Sequence, residues 1–249
     1  MSAAPVTLVV TSCGRVDLLV RTLESLEAIE PGRFARRVIV EDSGDEAVAA
    51  EIRARFPDFD LLFNQPNIGQ MRAIDRAYAT VETEYVFHCE DDWLFEGPPF
   101  LDTCLAVLRR HPEVSVACVR RVADLPPRYA GRLALPEPDA GYALMPPDAH
   151  PEWFGYSFNP GLARSATYRR YGPYAAHVSE EVLSYRLKRD GYVVAYLEPG
   201  AASHIGGDRH VLDPARPARA KTPFSKLRRS VDKRLTRLRR ALERAGGVG

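Results

Sequence analysis

The sequence has few cysteines and no long hydrophobic run. Its 249 residues include four cysteines at wide spacings, and no two of them form a CxxC pair. This distribution indicates buried free thiols, which are typical of a reducing compartment. No window reaches the ~18 apolar residues that a membrane-spanning helix needs, and the first residues, MSAAPVTLVVTS, lack a basic segment before a long apolar stretch. We therefore expect a cytoplasmic protein without a signal peptide or a membrane span.

The loop after the first predicted strand, VTLVV (6–10), lacks the glycines of two nucleotide-binding classes. No GxGxxG motif follows the strand, which argues against an NAD-dependent oxidoreductase. A nucleotidylyltransferase would need a loop rich in glycine and lysine there, whereas the segment TSCGR offers one glycine and no lysine. We keep nucleotidylyltransferases as an alternative because their nucleotide-binding sheet is related to the one that this sequence predicts.

The composition is that of a soluble globular protein, but the charge is unevenly distributed. The hydrophobic fraction is 45% and the charged fraction is 27%, which are ordinary values for a chain with one sizeable core. The formal net charge is +1, yet residues 216–249 contain 12 Lys/Arg against 2 Asp/Glu, which leaves 22 against 31 for the rest of the chain. An acidic body therefore carries a strongly basic tail.

Hydrophobic periodicity predicts an α/β fold. Short β-branched runs alternate with apolar residues at helical spacing over the first ~120 residues. The predicted strands are 6–10, 36–42, 60–63, 84–90 and 114–119. This alternation is typical of βαβ units, in which helices cover both faces of a Rossmann-like, mainly parallel sheet. Ligands bind such sheets at the carboxyl ends of the strands, which are followed here by TSCGR, EDSGD and EDDW.

The second part of the chain is less regular. Prolines crowd residues 120–152 and periodicity is lost there, so we expect a long loop of the length that often forms a functional lid. A helix from about Ser179 to Asp190 and a last strand, YVVAYLEP, follow. A linker, DPARPARA (213–220), then leads to a predicted C-terminal helix with one apolar stripe among arginines.

Three consecutive carboxylates, Glu90, Asp91 and Asp92, end the fourth predicted strand. The cluster is either a solvated turn or a cation site, and its position at the predicted crevice favours a cation. Carboxylate oxygens suit hard divalent ions, and Mg²⁺ usually takes one or two of them and completes its shell with water and substrate phosphate. The sequence therefore predicts a divalent-cation site that fills when a phosphorylated substrate binds.

An acidic pair, Glu41 and Asp42, ends the second predicted strand, 36–42. A carboxylate at this edge of the sheet could accept hydrogen bonds from a base or from ribose hydroxyls. The structural alternative is an N-cap of the next helix, made by Asp42, Ser43 or Asp45. Both roles are compatible with the pattern.

Four motifs, in order along the chain, resemble the inverting GT-A glycosyltransferases of family 2-like type. They are VTLVVTSCGRVDLLVRTLESL, VIVEDSGDE, NQPNIGQMRAIDRAYATVETEYVFHCEDDW and SEEVLSYRLKRDGYVVAYLEPGAASHIG, and they extend from about residue 6 to 205. The resemblance implies a GT-A fold and metal-dependent transfer of a sugar from a nucleotide diphosphate sugar to a hydroxyl acceptor. We therefore expect a GT-A domain over 1–212, with a nucleotide-sugar half at about 1–120 and an acceptor half at about 150–212. Residues 213–249 would form the linker and basic helix.

The resemblance also implies a donor site and a metal site. The donor residues would come from the first loop, the acidic pair, an N-x-G-x-x-x-A-R-like segment and the acidic triplet. They are Thr11, Arg15, Glu41, Asp42, Asn67, Gly69, Arg72, Glu90 and Asp91. Asp92 and His204 would bind the metal, Mn²⁺ or Mg²⁺, and His210 is a weaker alternative to His204.

The resemblance implies a general base at the start of the acceptor-side helix. Glu180 matches this position, and Glu181 is a close second. A carboxylate there would take the proton of the acceptor hydroxyl, which attacks opposite the leaving group with inversion. The alternative for both glutamates is stabilisation of the first helical turn after a Ser179 cap.

Trp93 and Trp153 are candidates for acceptor binding, and core packing is the alternative for both. Trp153 follows the proline-rich stretch, where stacking on an acceptor sugar is plausible.

Two departures from the family pattern keep a non-catalytic nucleotide- or sugar-binding relic as an alternative. Glu90 stands where aspartate is usual, and SEEVLSYRL replaces ED-x-(D/E)-L. Aligning Leu183 and Arg186 with the family pattern favours Glu180 over Glu181 as the base.

The basic tail has three candidate roles: packing on the body, nucleic-acid binding, or contact with an anionic membrane through residues 221–245. Apart from Phe224, no aromatic residue lies among its basic residues, and no nucleic-acid-binding fold is recognised, so we expect no nucleic acid as a partner. Interfacial helices bury leucines while their arginines contact headgroups. Because acceptors of such enzymes are often lipid-linked or cell-envelope glycans, we favour a cytoplasmic protein that is peripheral on the inner face of the membrane.

Overall fold

A computed structural model of the chain describes residues 5–137, 139–209, 211 and 214. By its internal contacts the chain divides into two units, Met1–Asp213 and Pro214–Gly249. The predicted basic helix and His210 lie outside the described residues, so the expectations for them stay predictions.

Helices and strands alternate along the described residues. The helices are α1 (Val16–Ile29), α2 (Glu46–Arg55), α3 (Gln70–Tyr78), α4 (Leu101–Arg110), α5 (Pro127–Ala130), α6 (Ser165–Tyr171) and α7 (Glu180–Arg189). The strands are β1 (Val6–Ser12), β2 (Arg36–Glu41), β3 (Asp60–Phe63), β4 (Tyr85–Glu90), β5 (Trp93–Phe95), β6 (Val114–Cys118), β7 (Tyr142–Leu144), β8 (Gly161–Arg164), β9 (Val193–Leu197) and β10 (Ala202–His204). Two 3₁₀ turns are Val122–Asp124 and Tyr174–His177.

The main sheet has eight strands in the order β3-β2-β1-β4-β8-β6-β9-β7. The first four are parallel to one another. Strand β8 lies antiparallel between β4 and β6, β9 is parallel to β6, and β7 closes the edge antiparallel to β9. A separate two-stranded antiparallel sheet joins β5 to β10. The predicted α/β fold with a mainly parallel sheet is therefore confirmed.

Alternation along the central strands places hydrophobic side chains on both faces of the sheet. In β1, Leu8 and Val10 belong to one buried cluster, which includes residues of α1 and α4, whereas Val9 belongs to a second cluster with residues of α3 and α7. All three side chains are at most 2% exposed. Helices thus cover both faces, and strands buried on both faces have nearly continuous apolar sequences.

The predicted strands 6–10, 36–42, 60–63, 84–90 and 114–119 correspond to β1, β2, β3, β4 and β6, with end differences of at most two residues. The proline-rich stretch 120–152 is more ordered than predicted, because it contains α5 and β7, and β7 hydrogen-bonds to β9. Strands β5, β8 and β10 were not predicted. Each has three or four residues, which is too short for alternation to distinguish a strand from a loop.

The four cysteines are free, and all but Cys13 are buried. Within the described residues, no helix combines the length and the apolar character that a membrane crossing requires.

Candidate active site

The predicted motifs meet at the carboxyl ends of β1, β2 and β4. Because these strands are parallel, their register aligns Thr11 with Glu90 and Ser12 with Glu41. The acidic triplet and the acidic pair therefore lie on either side of the loop after β1, as the sequence predicts.

Asp91 is completely buried and is held by the protein itself. Its Oδ2 accepts hydrogen bonds from Ser12 Oγ at 3.0 Å and from Arg15 Nε at 3.3 Å, and its Oδ1 pairs with Arg15 Nη2. Burial raises the pKa of Asp91 to about 6, although the adjacent guanidinium opposes the shift. Asp91 thus positions the loop that carries Arg15.

Asp92 and His204 come together although they are distant in the sequence. Strands β5 and β10 pair His204 with Trp93, and the Ile205 N–H donates to the Asp92 carbonyl at 2.8 Å. His204 Nε2 then lies 3.3 Å from Asp92 Oδ2. The other oxygen, Asp92 Oδ1, is buried and has no hydrogen-bond partner in the described part of the chain.

This pair suits a divalent cation that is completed by its substrate. A carboxylate with one unpartnered oxygen and a neighbouring imidazole can supply two ligands, and Mg²⁺-type sites fill their remaining positions with water and phosphate. Over the described residues, no group of three or more His, Cys, Asp or Glu side chains is arranged to hold a metal ion. Among the described residues, Asp92 and His204 are therefore the two candidate ligands, and water and phosphate would fill the remaining positions.

Gly206 lies directly against the pair. A Cβ atom there would come 2.6 Å from Asp92 Oδ2 and 3.0 Å from His204 Cε1. The position therefore accepts only glycine without displacing one of the two side chains. Sequence reasoning did not identify Gly206, although its location two residues after the candidate histidine is a usable signal.

Glu90, the last residue of β4, contacts the start of α3. Its Oε1 accepts from Gln70 Nε2 at 2.6 Å. Shielding from water and the neighbouring charges of Asp92 and Glu180 raise the pKa of Glu90 to about 8. Gln70, the first residue of α3, is a second site residue that the sequence analysis missed.

Glu180 is the first residue of α7, after the Ser179 cap, whose Oγ accepts from the Val182 N–H. The Oε1 atom of Glu180 accepts hydrogen bonds from the Phe158 N–H at 3.0 Å and from Ser157 Oγ at 3.3 Å. These donors fix its carboxylate at the carboxyl end of the sheet, close enough for its charge to contribute to the raised pKa of Glu90.

Glu181 is the next residue in α7 and is partly buried. The alternative role of both glutamates, stabilisation of the first helical turn after the Ser179 cap, is compatible with this geometry, because both lie in that turn.

Glu41 and Asp42 differ in what they contact. Glu41 is fully buried, and its Oε1 accepts from the N–H groups of Gly14 and Ser43, while Oε2 has no partner in the described residues. Asp42 Oδ1 accepts from Asn64 Nδ2 and the Ile68 N–H, and Oδ2 accepts from the Gly69 N–H. Asp42 thus organises the loop before α3, and Glu41 retains one free acceptor.

The N-cap of α2 is Asp45, whose side chain accepts from the Ala47 N–H. Of the three capping candidates, Asp45 therefore occupies that position.

The segment before α3 closes this side of the site. Asn67 Oδ1 accepts from the Gly69 N–H and Asn67 Nδ2 donates to Cys13 Sγ at 3.4 Å. Gly69 has φ 89°, a left-handed value that favours glycine, and it precedes α3. Arg72 is exposed in the first turn of α3, so it is accessible to a phosphate.

Thr11 and the two tryptophans occupy different environments. Thr11 is 8% exposed in β1. Trp93 is 2% exposed, and its ring packs edge-on to the His204 ring with a centroid distance of 5.3 Å. It therefore contacts the histidine and has no exposed face for stacking. Trp153 is partly buried, and its carbonyl accepts from Lys188 Nζ at 2.8 Å.

Neither the family models nor the curated proteins compared with this sequence match it. Solved structures do match. The chain is similar to GalNAc-T7 in its structure with UDP, GalNAc and Mn²⁺, with a TM-score of 0.64 and 12% identity over 90% of this chain and 47% of that chain. It is also similar to the mannosyltransferase PcManGT from Pyrobaculum calidifontis in complex with GDP-Man and Mn²⁺, with a TM-score of 0.50 and 16% identity over 78% and 55%.

A third similar structure is residues 1–349 of S. aureus TarS, with a TM-score of 0.55 and 15% identity over 80% of this chain and 59% of that chain. The chain thus spans about half the length of the structures it matches. At these identities the likeness defines the fold, and this protein has the GT-A fold.

Proposed function

We propose that this protein is a metal-dependent inverting glycosyltransferase that moves a sugar from a nucleotide diphosphate sugar to a hydroxyl acceptor. The observation that carries the proposal is the convergence of Asp92 and His204 at the strand ends, with the tethered carboxylate of Glu180 in the same region. Two structures with the same fold, GalNAc-T7 and PcManGT, contain a nucleotide or nucleotide sugar with Mn²⁺, which supports the assignment.

Asp92 and His204 would hold Mn²⁺ or Mg²⁺ together with the diphosphate. A bound divalent ion stabilises the negative charge that develops on the departing nucleotide diphosphate. The chain's contribution is to hold the Asp92 carboxylate, with its unpartnered Oδ1, beside the His204 imidazole, and Gly206 leaves room for both side chains.

Residues on the other side of the loop after β1 would bind the nucleotide. Glu41 Oε2 is a buried, unpaired acceptor in the described residues, and a base N–H or a ribose hydroxyl would satisfy it. Asn67 and Gly69 shape the adjacent wall, and exposed Arg72 suits a phosphate. Asp42 acts on this region indirectly, through its hydrogen bonds to the loop.

Glu180 would take the proton of the acceptor hydroxyl. The Phe158 N–H and Ser157 Oγ hold its Oε1 in place, which orients the carboxylate at the start of α7. Glu180 lies close enough to Glu90 for its charge to act on that carboxylate, which supports its choice as the base. The acceptor class is a cell-envelope, polysaccharide or lipid-linked glycan, which a cytoplasmic protein would meet at the inner face of the membrane through residues 221–245.

The proposal is tested by thermal unfolding with a panel of nucleoside diphosphates and their sugars, each with and without Mn²⁺. A ligand at 100 times its dissociation constant stabilises the folded state by about 2.7 kcal/mol. We expect one nucleotide to give a Mn²⁺-dependent shift that Asp92→Asn abolishes. Asp102→Asn, which alters an exposed aspartate paired with Arg33, should retain it. Absence of a shift for every nucleotide would refute the proposal.

The non-catalytic alternative predicts a different pattern. A relic would bind the nucleotide with Mn²⁺ but would release no nucleoside diphosphate from any nucleotide sugar, with or without acceptor glycans. Detection of released UDP or GDP that depends on Glu180 separates the enzyme from the relic.

A further inference from the structure

The guanidinium of Arg15 lies between the two aspartates of the acidic triplet. Its Nε and Nη2 pair with the two oxygens of Asp91, and its Nη1 lies 2.8 Å from Asp92 Oδ2. The Arg15 side chain is 16% exposed, and those of Asp91 and Asp92 are 0% and 8% exposed. One largely buried cation therefore balances two buried carboxylates, which would otherwise be costly to leave unpaired.

Arg15 is held in this place from a second side. Its Nη1 also donates to the Arg209 carbonyl at 3.0 Å, and the Arg209 side chain forms an ion pair with Asp17, in the first turn of α1. Residues from the start of α1 and from the segment after β10 thus fix the guanidinium against Asp92.

The position of Arg15 conflicts with that of a metal ion at the same carboxylate. Asp92 Oδ2 already contacts Arg15 Nη1 at 2.8 Å and His204 Nε2 at 3.3 Å. A divalent cation between Asp92 and His204 would sit next to the guanidinium, and two cations a few ångströms apart in a poorly solvated site repel each other strongly. The guanidinium must therefore either lower the affinity of the site for the metal ion or move away from Asp92.

We infer that Arg15 is an internal counter-cation that competes with the divalent ion for Asp92, so that the ion binds tightly only when a nucleoside diphosphate draws the guanidinium away. The inference rests on the proposed function, because it takes the site to bind a metal together with a diphosphate. A guanidinium matches phosphate oxygens in bidentate geometry at least as well as carboxylates. Arg15 is thereby a positioning residue that couples the two ligands, and the coupling is reciprocal.

The inference is tested by Mn²⁺ titration, in which the electron paramagnetic resonance signal of free Mn²⁺, compared with a protein-free titration at the same nucleotide concentration, measures binding to the protein without turnover. The wild type, Arg15→Gln and a control are compared with no nucleotide, with UDP and with GDP. The control is Arg36→Gln, which removes an arginine at the opposite end of β2 that pairs with Asp60. We expect Arg15→Gln to bind Mn²⁺ alone about tenfold more tightly than the wild type, since typical couplings are about 5- to 150-fold.

The nucleotide arms of the titration complete the test. In the wild type and in Arg36→Gln, the effective nucleoside diphosphate should increase Mn²⁺ affinity about tenfold or more, whereas in Arg15→Gln the increase should be several-fold smaller, because only direct ligation of the ion by the diphosphate remains. Arg15→Lys keeps the positive charge but cannot span both carboxylates, so its affinity for Mn²⁺ alone should increase less than that of Arg15→Gln. It also provides a second variant if Arg15→Gln folds poorly.

Two outcomes would overturn the inference, and they are distinguishable. If the wild type binds Mn²⁺ with nucleotide but the Arg15 variants bind Mn²⁺ alone no better than the wild type does, Arg15 is not a competitor and the proposed function stands. If neither the wild type nor any of the variants binds Mn²⁺, with or without nucleotide, the proposed function and the inference are both refuted.

Discussion

His204 Nε2 lies 3.3 Å from Asp92 Oδ2 because a backbone pairing, not sequence proximity, joins the two residues. Strand β5 starts one residue after Asp92, and β10 ends at His204, in register with Trp93. The buried Trp93 ring then supports the imidazole. The two candidate metal ligands are therefore positioned by rigid structure before any metal arrives, which lowers the cost of ordering them on binding.

The glycine beside this pair gives the first prediction. Gly206→Ala adds a Cβ atom 2.6 Å from Asp92 Oδ2, so the aspartate or the histidine must move. We expect Mn²⁺ affinity in the presence of nucleotide to fall by about 10- to 100-fold, as is typical when the support of a metal ligand is altered. Mn²⁺ titration measures the change.

Gly207→Asn is the matched control for Gly206→Ala. Gly207 has no atom within 4 Å of an added Cβ, and its φ of 53° is a left-handed value that asparagine tolerates. Its Mn²⁺ affinity should remain near that of the wild type. Equal losses in both variants would show that the loop backbone, not the space beside Asp92, determines the affinity.

The second prediction distinguishes the two candidate bases. Glu180→Gln preserves a carbonyl oxygen that can accept from the Phe158 N–H, so the side chain should keep its place while losing its basicity. We expect sugar transfer to fall by about 10²- to 10⁴-fold, with nucleotide binding unchanged in a thermal-shift assay. Glu181→Gln, one residue further along α7, should lose less than threefold. A larger loss in Glu181→Gln would reverse the assignment.

The third prediction separates Asp42 from Glu41. Asp42→Ala removes the acceptor of Asn64 Nδ2 and of the Ile68 N–H, whereas the Gly69 N–H keeps Asn67 Oδ1 as an acceptor. Because buried donors left unpaired cost about 1–3 kcal/mol each, we expect the free energy of unfolding in urea to fall by about 3 kcal/mol.

Asp45→Ala is the control for Asp42→Ala, since it removes one capping bond to Ala47 and should cost about 1 kcal/mol. By contrast, Glu41→Gln should weaken nucleotide binding, because it changes the hydrogen-bonding character of a buried side chain with a free oxygen. Comparable nucleotide affinity in Glu41→Gln and the wild type would contradict the role given to Glu41.

The parallel half of the sheet was predictable because each strand has its own local pattern. The runs that became β1, β2 and β4 are each rich in apolar residues, and each is followed by polar residues that meet at one edge. The approximate places of Glu41, Asp92 and Glu180 follow from that geometry and from the family resemblance.

The contacts that organise the site could not be predicted in the same way. Strand β8 has four residues and enters between β4 and β6 from far along the chain, so its pairing leaves no periodic signal. The bridge of Arg15 to both Asp91 and Asp92 joins two loops, and spacing does not specify which arginine reaches which carboxylate. Tertiary packing decides such contacts, and local propensity does not encode them.

The last prediction concerns the acid stability of the core. His88, in β4, is 4% exposed and lies between the rings of Tyr78 and Phe158, at centroid distances of 5.8 and 5.7 Å. Neither of its ring nitrogens has a hydrogen-bond partner in the described residues. Burial lowers the pKa of His88 to about 3, because a charged imidazole would lose its hydration without gaining a partner.

The sign of the pH effect follows from this shift. Below pH ~6.5 the unfolded chain binds a proton at His88 that the folded protein excludes, so the histidine favours unfolding increasingly as the pH falls towards 3. At ~1.4 kcal/mol per pH unit, it should destabilise the fold by about 3 kcal/mol between pH 6.5 and pH 4.

Urea unfolding at several pH values measures this effect. The free energy of unfolding should depend less on pH in His88→Leu than in the wild type, by about this amount. His88→Phe, with a different shape but equally uncharged, should flatten the profile to the same extent. Parallel profiles for all three proteins would mean that His88 is protonated within the folded state.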